Sequence, residues 1–599
     1  MRAKQFYLCI VAIFVAGMAV RLVPLAEYAL IGDDLGRYIY QVNTLIEKEG
    51  LTYSFPGWGS QEAEFVGFYG FFGILVKLFG TSTVRTLSIA PLFSLIAIAM
   101  IMLLALKIFK DEKISLIAGA FLAVSPLFTL VSSRPVKAVL GFPLFGLCLL
   151  MLYFSYKDKR SLPILYASTI ALVLTHNFTT YFLIIGVLSM VFFREIGRKH
   201  NDTDKLRVEI PYLAFLLIFS LAFALIACPT FRESFISTIQ KVIPLPIWAL
   251  FVLGAASLSV VPLVVRLGRK VSSRIKEREE RILQEKGNRK GLKMAFITFG
   301  ALSSIAVILL FVPLPIGLDY ALNPLHLIWI VPTLLSISFA ATGKQLCKGE
   351  ENQFVYLTIA PLISLMIGLI TQMTFLYPYR HGDYIAMTGF VLVGVALTRA
   401  SVKRKKLLKY GTIALLVVCG LVAYPPLSIR LYDEGFTDGE LAGAYWIAES
   451  GEIRPEDVIA SDMGGSDLIF GIAKHENVTW NQAYWIFAAE EFNNSCREEV
   501  ERCNISYVFV SVQMWRAGIV AKSAETNPGA GDYVVPEEEA LLKFFDEPFI
   551  LAYTYYPEYY NLTYDDYEDL MWDDESGELD IENLPRDAVW IFEIDKRKV

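Results

Sequence analysis

Residues 86–106 read TLSIAPLFSLIAIAMIMLLAL, a run of 21 residues without a charged side chain. A helix that crosses a bilayer needs about 20 mostly apolar residues, because each residue rises about 1.5 Å along the axis. This run therefore predicts a membrane-spanning helix, and similar runs recur along the chain. Thirteen segments qualify, at residues 5–27, 84–107, 114–131, 137–156, 161–175, 179–193, 209–228, 246–265, 293–314, 325–341, 353–372, 384–400 and 409–427. The fifth and sixth are short and fit a hairpin around residues 175–180.

The overall composition agrees with these apolar runs. The chain has 599 residues, of which 55% are hydrophobic and 19% are charged, whereas a soluble domain is about a quarter charged. A soluble enzyme, a disordered chain and a fibrous protein are therefore excluded. We predict a polytopic α-helical membrane protein of about 13 transmembrane helices.

Charge divides the chain into two parts. Residues 430–599 contain 12 basic and 37 acidic side chains, while the remainder contains 42 basic and 23 acidic ones. A basic membrane part fits loops beside anionic lipids, and an acidic terminal part fits a solvated domain that does not bind nucleic acid. We predict a transmembrane catalytic domain at 1–427, including a long first outer loop at 28–83, and a soluble acidic domain at 428–599.

Lysine and arginine in short loops predict the orientation in the membrane. Basic residues precede the first span and then recur in every second loop, at 107–113, 157–160, 194–207, 266–293, 344–348 and 403–409. With thirteen spans, the amino terminus is cytoplasmic and residues 430–599 are extracytoplasmic. The four glycosylation acceptor triplets at Asn477, Asn493, Asn504 and Asn561 agree with this orientation. The first apolar run lacks a small-residue cleavage site and is predicted to be a retained signal anchor.

The terminal domain alternates helical and strand patterns. Helices are predicted at 440–450, with Asp438 as the cap, and at 467–474; strands are predicted at 458–461, 506–512, 549–556 and 588–594. This pattern predicts an extracytoplasmic α/β domain. Cys496 and Cys503 are its only cysteines, and on an oxidising side they would be able to form a disulfide; two free thiols are the alternative.

Two adjacent carboxylates open the first outer loop. Asp33 and Asp34 come shortly after the first predicted span, which ends at residue 27. At a membrane surface, desolvation raises the pKa of a carboxyl group and allows it to act as a general base. A solvated helix cap explains the pair equally well, because aspartate suits a helix start.

Cations lie at the predicted outer ends of several spans. Arg134 and Lys137 occur in the second outer loop (132–137, SSRPVK), and Arg380 and His381 occur in the sixth (377–384, YPYRHGDY). Because Arg and Lys commonly bind phosphate, two such clusters indicate an anionic ligand; ion pairing with Asp33, Asp34 or Asp383 is the alternative. His176, at another outer span end, is either a functional residue or a hydrogen-bonded core histidine.

The chain lacks the sequence patterns of several common sites. It has no Cys/His spacing typical of a metal centre, no glycine-rich phosphate loop and no serine-nucleophile motif. The acidic stretch at 565–574 lacks the pattern of a calcium loop, so a solvated surface is the preferred interpretation.

The topology and two local matches resemble the C-type (GT-C) glycosyltransferase superfamily, whose members use polyprenyl-linked sugar donors. The span count and terminal domain are most similar to the oligosaccharyltransferase catalytic subunits. Residues 379–387 (YRHGDYIAM) resemble the arginine-containing entry to a late span in that family. Residues 444–447 (AYWI) and 458–462 (VIASD) resemble the helix and strand that lead into its WWDYG motif.

Departures from that family point to its metal-independent relatives. Residues 460–465 (ASDMGG) stand at the WWDYG position without a tryptophan pair, which puts recognition of an acceptor peptide in doubt. The second outer loop lacks paired acidic metal ligands, and the fifth, at 317–325, is short. Residues 33–38 (DDLGRY) instead resemble the Asp-Glu motif of protein O-mannosyltransferases and the Asp-Glu-x-Arg-Tyr motif of aminoarabinose transferases, with one additional residue before Arg37 and Tyr38. By this resemblance no cofactor is required; a divalent metal is compatible but not expected.

The resemblance implies an inverting transfer. Asp33 or Asp34 would deprotonate an acceptor hydroxyl, with Asp33 preferred, while Arg134, Lys137, Arg380 or His381 would stabilise the departing lipid phosphate. The implied partners are a polyprenyl-phosphate-linked sugar, a glycan, protein or lipid acceptor, and membrane lipids. Two alternatives remain: an oligosaccharyltransferase-like enzyme with a pyrophosphate donor, and a transporter or sensor. The implied location is an archaeal plasma membrane.

Overall fold

The chain forms a helical bundle followed by a mixed α/β unit. In the computed structural model the described residues are 3–26, 28–32, 35–48, 64–196, 202–229, 232–233, 340, 343–344, 346–371, 378–399, 413–414, 416–420, 435–480, 484–517, 519–521, 532–534, 536, 539–555 and 584–599.

The first part of the chain is helical almost throughout its described length. Its helices are α1 (Ala3–Leu22), α2 (Leu35–Lys48), α3 (Val66–Phe79), α4 (Thr83–Ser88), α5 (Phe93–Phe109), α6 (Glu112–Val124), α7 (Pro126–Ser132), α8 (Ala138–Ser155), α9 (Leu162–Thr175), α10 (Asn177–Ile196), α11 (Asp202–Ala222), α12 (Asn352–Thr371) and α13 (Pro378–Arg399).

Six stretches in the described part of the chain are long and apolar enough to cross a membrane. They are Ala3–Ala26, Thr83–Phe109, Ala138–Ser155, Asn177–Ile196, Thr203–Ala227 and Arg380–Arg399. Each overlaps a predicted span, and the chain is a polytopic α-helical membrane protein. The predicted spans at 246–265, 293–314, 325–341 and 409–427 lie wholly or mostly outside the described residues.

The predicted span at 114–131 is two helices rather than one. Helix α6 ends at Val124, Ser125 is extended, and Pro126 begins α7. Proline fixes its own φ and disfavours a helical conformation in the residue before it, so the break follows from the sequence locally. The fifth and sixth predicted spans correspond to α9 and α10, and His176 alone separates these two helices.

Close packing between helices relies on small side chains. A Cβ added to Gly119 of α6 would lie 2.3 Å from the sulfur of Met102 on α5, and Ser115 Oγ donates to the Met102 carbonyl at 2.8 Å. Small residues allow helix backbones to approach closely where lipid removes the hydrophobic driving force. The helices around this contact form one continuous apolar core.

One end of the bundle carries matched ionic contacts. Arg194 Nε lies 3.2 Å from Glu209 Oε1 between α10 and α11, and both side chains are buried. Lys205 pairs with Glu350 at 2.8 Å, and Arg399 pairs with Glu351. These contacts join loops that the basic-residue pattern assigns to one side. We call this set the paired end.

The second part of the chain contains a five-stranded sheet. In chain order its helices are α14 (Asp438–Glu449), α15 (Met463–Ala473), α16 (Tyr484–Ala488), α17 (Asn494–Cys503), α18 (Val512–Ala517) and α19 (Glu539–Leu542). The strands of the whole chain are β1 (Leu30–Ile31), β2 (Gly435–Phe436), β3 (Val458–Ala460), β4 (Val478–Thr479), β5 (Ile505–Ser511), β6 (Ile519–Ala521), β7 (Asp532–Val534), β8 (Phe549–Tyr555) and β9 (Val589–Ile594).

The order of the large sheet is β4-β3-β5-β9-β8. Strand β3 runs parallel to β4 and β5, whereas β9 is antiparallel to β5 and β8. Consecutive apolar residues of β5 and β9 are buried, on both faces of the sheet, and they build the core together with Phe544. The elements lie within a few residues of the predicted ones, except that α15 begins four residues earlier, at Met463, with Asp462 as its cap.

Two predictions in this unit are wrong. The cap of α14 is Thr437 rather than Asp438: its hydroxyl accepts from the Glu440 N–H, and the Glu440 carboxylate accepts from the Thr437 N–H. Cys496 and Cys503 do not form a disulfide. They lie seven residues apart near the two ends of α17, or about 10.5 Å along a helix, whereas a disulfide needs Cα atoms within about 7 Å.

Candidate active site

The loop between α7 and α8 carries the first two predicted phosphate ligands. Helix α7 ends at Ser132, Arg134 is half-buried, and Lys137 is the buried residue that precedes α8. The Lys137 ammonium lies 5.7 Å from the ring centres of both Phe65 and Tyr69. An ammonium over aromatic faces is stabilised by their quadrupoles, so the position of Lys137 is set by α3 as well as by its own loop.

A buried arginine of the first helix holds this loop. Arg21 is fully buried and donates from Nη2 to Ser132 Oγ at 2.8 Å and from Nε to Ser94 Oγ at 2.7 Å. Its Nη1 donates to the carbonyls of Ala123 and Gly17. A buried cation is costly unless its donors are satisfied, and all three nitrogens of Arg21 have acceptors. Arg21 was not singled out from the sequence, although an arginine inside the first apolar run is a visible signal.

The late helix α13 brings a carboxyl group to the same place. Asp383 is buried, with 2% of its surface exposed. The guanidinium groups of Arg380 and Arg134 both act electrostatically on its carboxyl group. Arg134 and Arg380 are 246 residues apart in the chain, and both are near enough to Asp383 to act on its charge. Ion pairing with Asp383, the alternative considered from the sequence, stays a prediction.

Arg380 also contacts the start of α10. Its guanidinium carbon lies 4.7 Å from the centre of the Phe178 ring. Phe178 is the second residue of α10, directly after the His176 junction. This contact places the junction of α9 and α10, at His176, next to Arg380.

Both predicted histidines are buried in hydrogen-bonded networks. His176 Nδ1 lies 2.6 Å from Thr179 Oγ1, which lies 2.6 Å from the Tyr384 hydroxyl. His381 Nε2 lies 2.9 Å from Ser364 Oγ. These contacts favour the core-histidine interpretation of His176.

An aromatic stack joins the two networks. The Phe182 ring lies 3.9 Å from Tyr384, nearly parallel, and 4.9 Å from His381, edge to face. The two networks and this stack therefore fix the position of α10 relative to α13, the helix that carries Arg380. Thr179 and Tyr384 were not singled out from sequence, because a hydroxyl inside an apolar run gives no specific signal.

The predicted catalytic pair, Asp33 and Asp34, lies outside the described residues. Its preceding neighbour, Gly32, has a φ of +128°, a conformation that side chains other than glycine rarely adopt. A Cβ at Gly32 would lie 3.9 Å from the Cβ of Arg134. The chain therefore reaches the Arg134 loop immediately before the acidic pair.

Arg37 and Tyr38, the other candidates from the first outer loop, serve packing contacts. Arg37 Nε lies 3.0 Å from Asp467 Oδ1 of α15. The Tyr38 ring packs 5.5 Å from Phe68 and 5.7 Å from Tyr69. Tyr38 thus belongs to the aromatic cluster that also contacts Lys137, whereas Arg37 connects the outer loop to the α/β unit.

Within the part of the chain that the structure describes, no group of three or more His, Cys, Asp or Glu side chains is arranged to hold a metal ion. The site described here is therefore a set of basic side chains around one buried carboxyl group.

Comparisons with known proteins complete this description. No protein-family model matches the chain, and no curated protein does. Similar solved structures include ArnT from Cupriavidus metallidurans in the apo state, at 13% identity and a TM-score of 0.32, covering 87% of this chain and 93% of that one. The same protein bound to undecaprenyl phosphate matches at 13% identity and a TM-score of 0.32, covering 99% of both chains.

The arabinofuranosyltransferase AftD from Mycobacteria, as the R1389S mutant, is another similar structure. It matches at 13% identity and a TM-score of 0.47, and this chain spans 42% of its length. Because identity is 13% and the TM-scores are below 0.5, the activity has to be inferred from this chain's own residues.

Proposed function

We propose that this protein is an inverting membrane glycosyltransferase that moves a sugar from a polyprenyl-phosphate donor to an acceptor hydroxyl. The observation that carries the proposal is that Arg134 and Arg380, from two separate segments, both act electrostatically on the buried carboxyl group of Asp383, and that Arg134 lies beside the chain at Gly32. Two cations from separate segments provide charge for a phosphate monoester. A candidate base follows Gly32 directly in the sequence, at Asp33.

The proposed reaction requires one base and one set of cations. Asp33, or Asp34 in reversed roles, accepts the proton of the acceptor hydroxyl. The acceptor oxygen forms a bond to the anomeric carbon from the face opposite the phosphate, and the bond between that carbon and the phosphate oxygen breaks. Polyprenyl phosphate leaves with the electron pair. Arg134 and Arg380 stabilise the negative charge that develops on this oxygen, and Lys137 and His381 are further candidates for this role.

Asp383 has a distinct role in this proposal. It is buried and lies within the electrostatic reach of both guanidinium groups, and its proposed role is to keep them near one another. The remaining positive charge then faces the donor. We propose the extracytoplasmic side as the location of this site, because the opposite, paired end carries the loops rich in lysine and arginine.

A genetic experiment tests the reaction and identifies the base. The gene is deleted in its host and complemented with wild type, Asp33→Asn or Asp34→Asn, and intact glycan masses are measured on surface proteins and lipids. We expect one sugar unit to be lost on deletion, restored by wild type and not restored by at least one Asn variant. Asp158→Asn is the matched control, because Asp158 caps a short helix between α8 and α9 and asparagine caps equally well.

Two other outcomes would overturn the proposal. Loss of the entire protein glycan, with the completed lipid-linked form accumulating, favours an oligosaccharyltransferase with a pyrophosphate donor. Unchanged glycans in a host without a second copy of the gene favour a transporter or sensor.

A further inference from the structure

The chain just before the acidic pair is bound to the α/β unit. Strand β1 pairs antiparallel with β2, with Leu30 opposite Phe436 and Ile31 opposite Gly435. The Ala29 N–H donates to the Phe436 carbonyl at 2.9 Å. A side chain at Gly435 would collide with Tyr28, since a Cβ there would lie 2.1 Å from its ring. The residues that precede Asp33 are therefore held by contacts with β2, which lies in the carboxyl-terminal part of the chain.

The chain just after the pair is held by the same unit at a second point. Helix α2 packs against α15 with backbone touching backbone. A Cβ at Gly36 would lie 1.7 Å from the Asp467 carbonyl oxygen, and a Cβ at Gly471 would lie 2.1 Å from the Gly36 carbonyl oxygen. Both positions require glycine, because any Cβ would force the two helices apart.

Side chains strengthen this second contact. The Arg37–Asp467 pair is buried, with 7% and 8% of the two side chains exposed, so the ion pair is shielded from water. The rings of Tyr40 and Phe470 stack with their centres 4.5 Å apart. Near the far end of α2, Lys474 pairs with Glu47 at the surface. A buried, well-oriented ion pair specifies one arrangement of two elements more strongly than an exposed pair does.

We infer that helix α15, through Gly471 and Asp467, positions the Asp33–Asp34 pair, so that the α/β unit is a working part of the transfer site. This inference rests on the proposed function. The physical reason is the short distance along the chain between the anchors. Ile31 and Gly36 lie on either side of the pair, and a residue two positions from an anchored one lies within about 7 Å of it. A displaced anchor therefore displaces the carboxylates.

A glycine substitution separates positioning from folding. Gly471→Ala in the full-length protein should push α2 away from α15, whereas Gly464→Ala on the same helix meets its nearest atom at 3.6 Å, an ordinary contact. A misplacement of about 1 Å can lower a rate about 100-fold. We expect Gly471→Ala to lower kcat by about that factor while the affinity for undecaprenyl phosphate changes less than about twofold, because the cations lie on other segments. Gly464→Ala should match wild type in both.

The ion pair provides a second and reversible test. Asp467→Asn should lower kcat, and the exchanged pair Arg37→Asp with Asp467→Arg should recover at least about tenfold of the loss. Glu47→Gln is the control, since it breaks an exposed pair in the same interface; its kcat should equal that of wild type. Each variant is first checked for a single size-exclusion peak and for its unfolding temperature in detergent.

A labelling experiment judges positioning without relying on transfer. Asp33→Cys is introduced alone and together with Gly471→Ala or Gly464→Ala, and the maleimide labelling rate at residue 33 is followed by mass spectrometry. A rate that changes at least about tenfold with Gly471→Ala but not with Gly464→Ala supports the inference. Equal rates, or a folded Gly471→Ala protein with the kcat of wild type, overturn it. If wild type transfers no sugar, the proposed function fails, and the labelling rates still decide the positioning role.

Discussion

The two ends of the helical bundle treat charge in different ways. At the paired end, each cation contacts its own acid: Arg194 with Glu209, Lys205 with Glu350 and Arg399 with Glu351. At the other end, Arg134 and Arg380 both act electrostatically on the buried carboxyl group of Asp383. Matched pairs of this kind join helices, whereas cations gathered around a shared acid form a place for a further anion.

This difference separates stability from chemistry. Removing one partner of a buried matched pair leaves a charge without compensation and destabilises the fold. Removing a cation from a ligand site mainly weakens the interaction with the charge that develops in the transition state. Substitution of arginine by glutamine should therefore mainly lower stability at the paired end and mainly lower the transfer rate at the other end.

The largest expected effect is on stability at the paired end. Arg194→Gln leaves buried Glu209 without its guanidinium partner and should lower the free energy of unfolding by about 3–5 kcal/mol. The transfer rate per folded molecule should remain that of wild type. Unfolding in detergent measures the first quantity. Arg207→Gln, which breaks an exposed pair with Asp204, should cost less than about 1 kcal/mol; equal losses in the two variants would remove the distinction.

The next effect is on catalysis at the other end. Arg380→Gln should lower the transfer rate by about 100- to 1,000-fold, and Arg380→Lys should recover part of the loss because it restores the charge without the planar donor geometry. Rates with a synthetic polyprenyl-phosphate sugar measure this effect. Arg160→Gln, an exposed position between α8 and α9, is the control. A wild-type rate for Arg380→Gln would place the donor phosphate elsewhere.

A smaller effect concerns a buried carboxyl group of the α/β unit. Burial, with the nearby charge of Asp462, raises the pKa of Glu440 to about 7 from 4.5. Native protein then holds this proton at pH values where the unfolded chain has released it. Stability is therefore highest below about pH 4.5 for this group and falls as the pH rises towards 7.

Glu440→Gln tests this pH dependence. The variant should reduce the slope, to which the raised pKa values of Asp462 and Glu499 also contribute, and should raise the free energy of unfolding at pH 8 by about 1–3 kcal/mol. Unfolding measured at several pH values gives the slope, and Glu449→Gln at the exposed end of the same helix should leave it unchanged. A slope in Glu440→Gln equal to that of wild type would assign the titration to another group. Glu209, with its arginine partner, is the contrasting case of a buried acid held by a cation.

The smallest effect is expected at the two cysteines of α17. Because Cys496 and Cys503 form no disulfide, dithiothreitol should leave the unfolding temperature unchanged. Reduction of a native disulfide usually costs about 2–5 kcal/mol, so a clear drop would mean that the helix rearranges to form one. Mass spectrometry after thiol labelling provides an independent count of free thiols.

Local physics explains why some predictions succeeded. The strands at 505–511 and 589–594 and the helices of the described spans follow from apolar runs and their periodicity, which neighbours in sequence determine. The break at Pro126 was not predicted, although it too has a local cause in the proline ring. The errors at Thr437 and at the cysteine pair have the same cause. Residue type alone permits several helix caps and several states of the two thiols, and the backbone geometry that the chain adopts selects among them.

The amino-acid sequence by itself determined that this is a membrane protein, where most of the described helices run, and which basic segments share an end of the bundle, because hydropathy and charge act through the solvent on each segment separately. Only the tertiary structure decided that Arg134 and Arg380 both approach Asp383, that Arg21 holds the Ser132 loop, and that Gly36 lies against Gly471. These contacts join residues 111 to 435 positions apart, and their energies arise only when packing brings the groups together and excludes water.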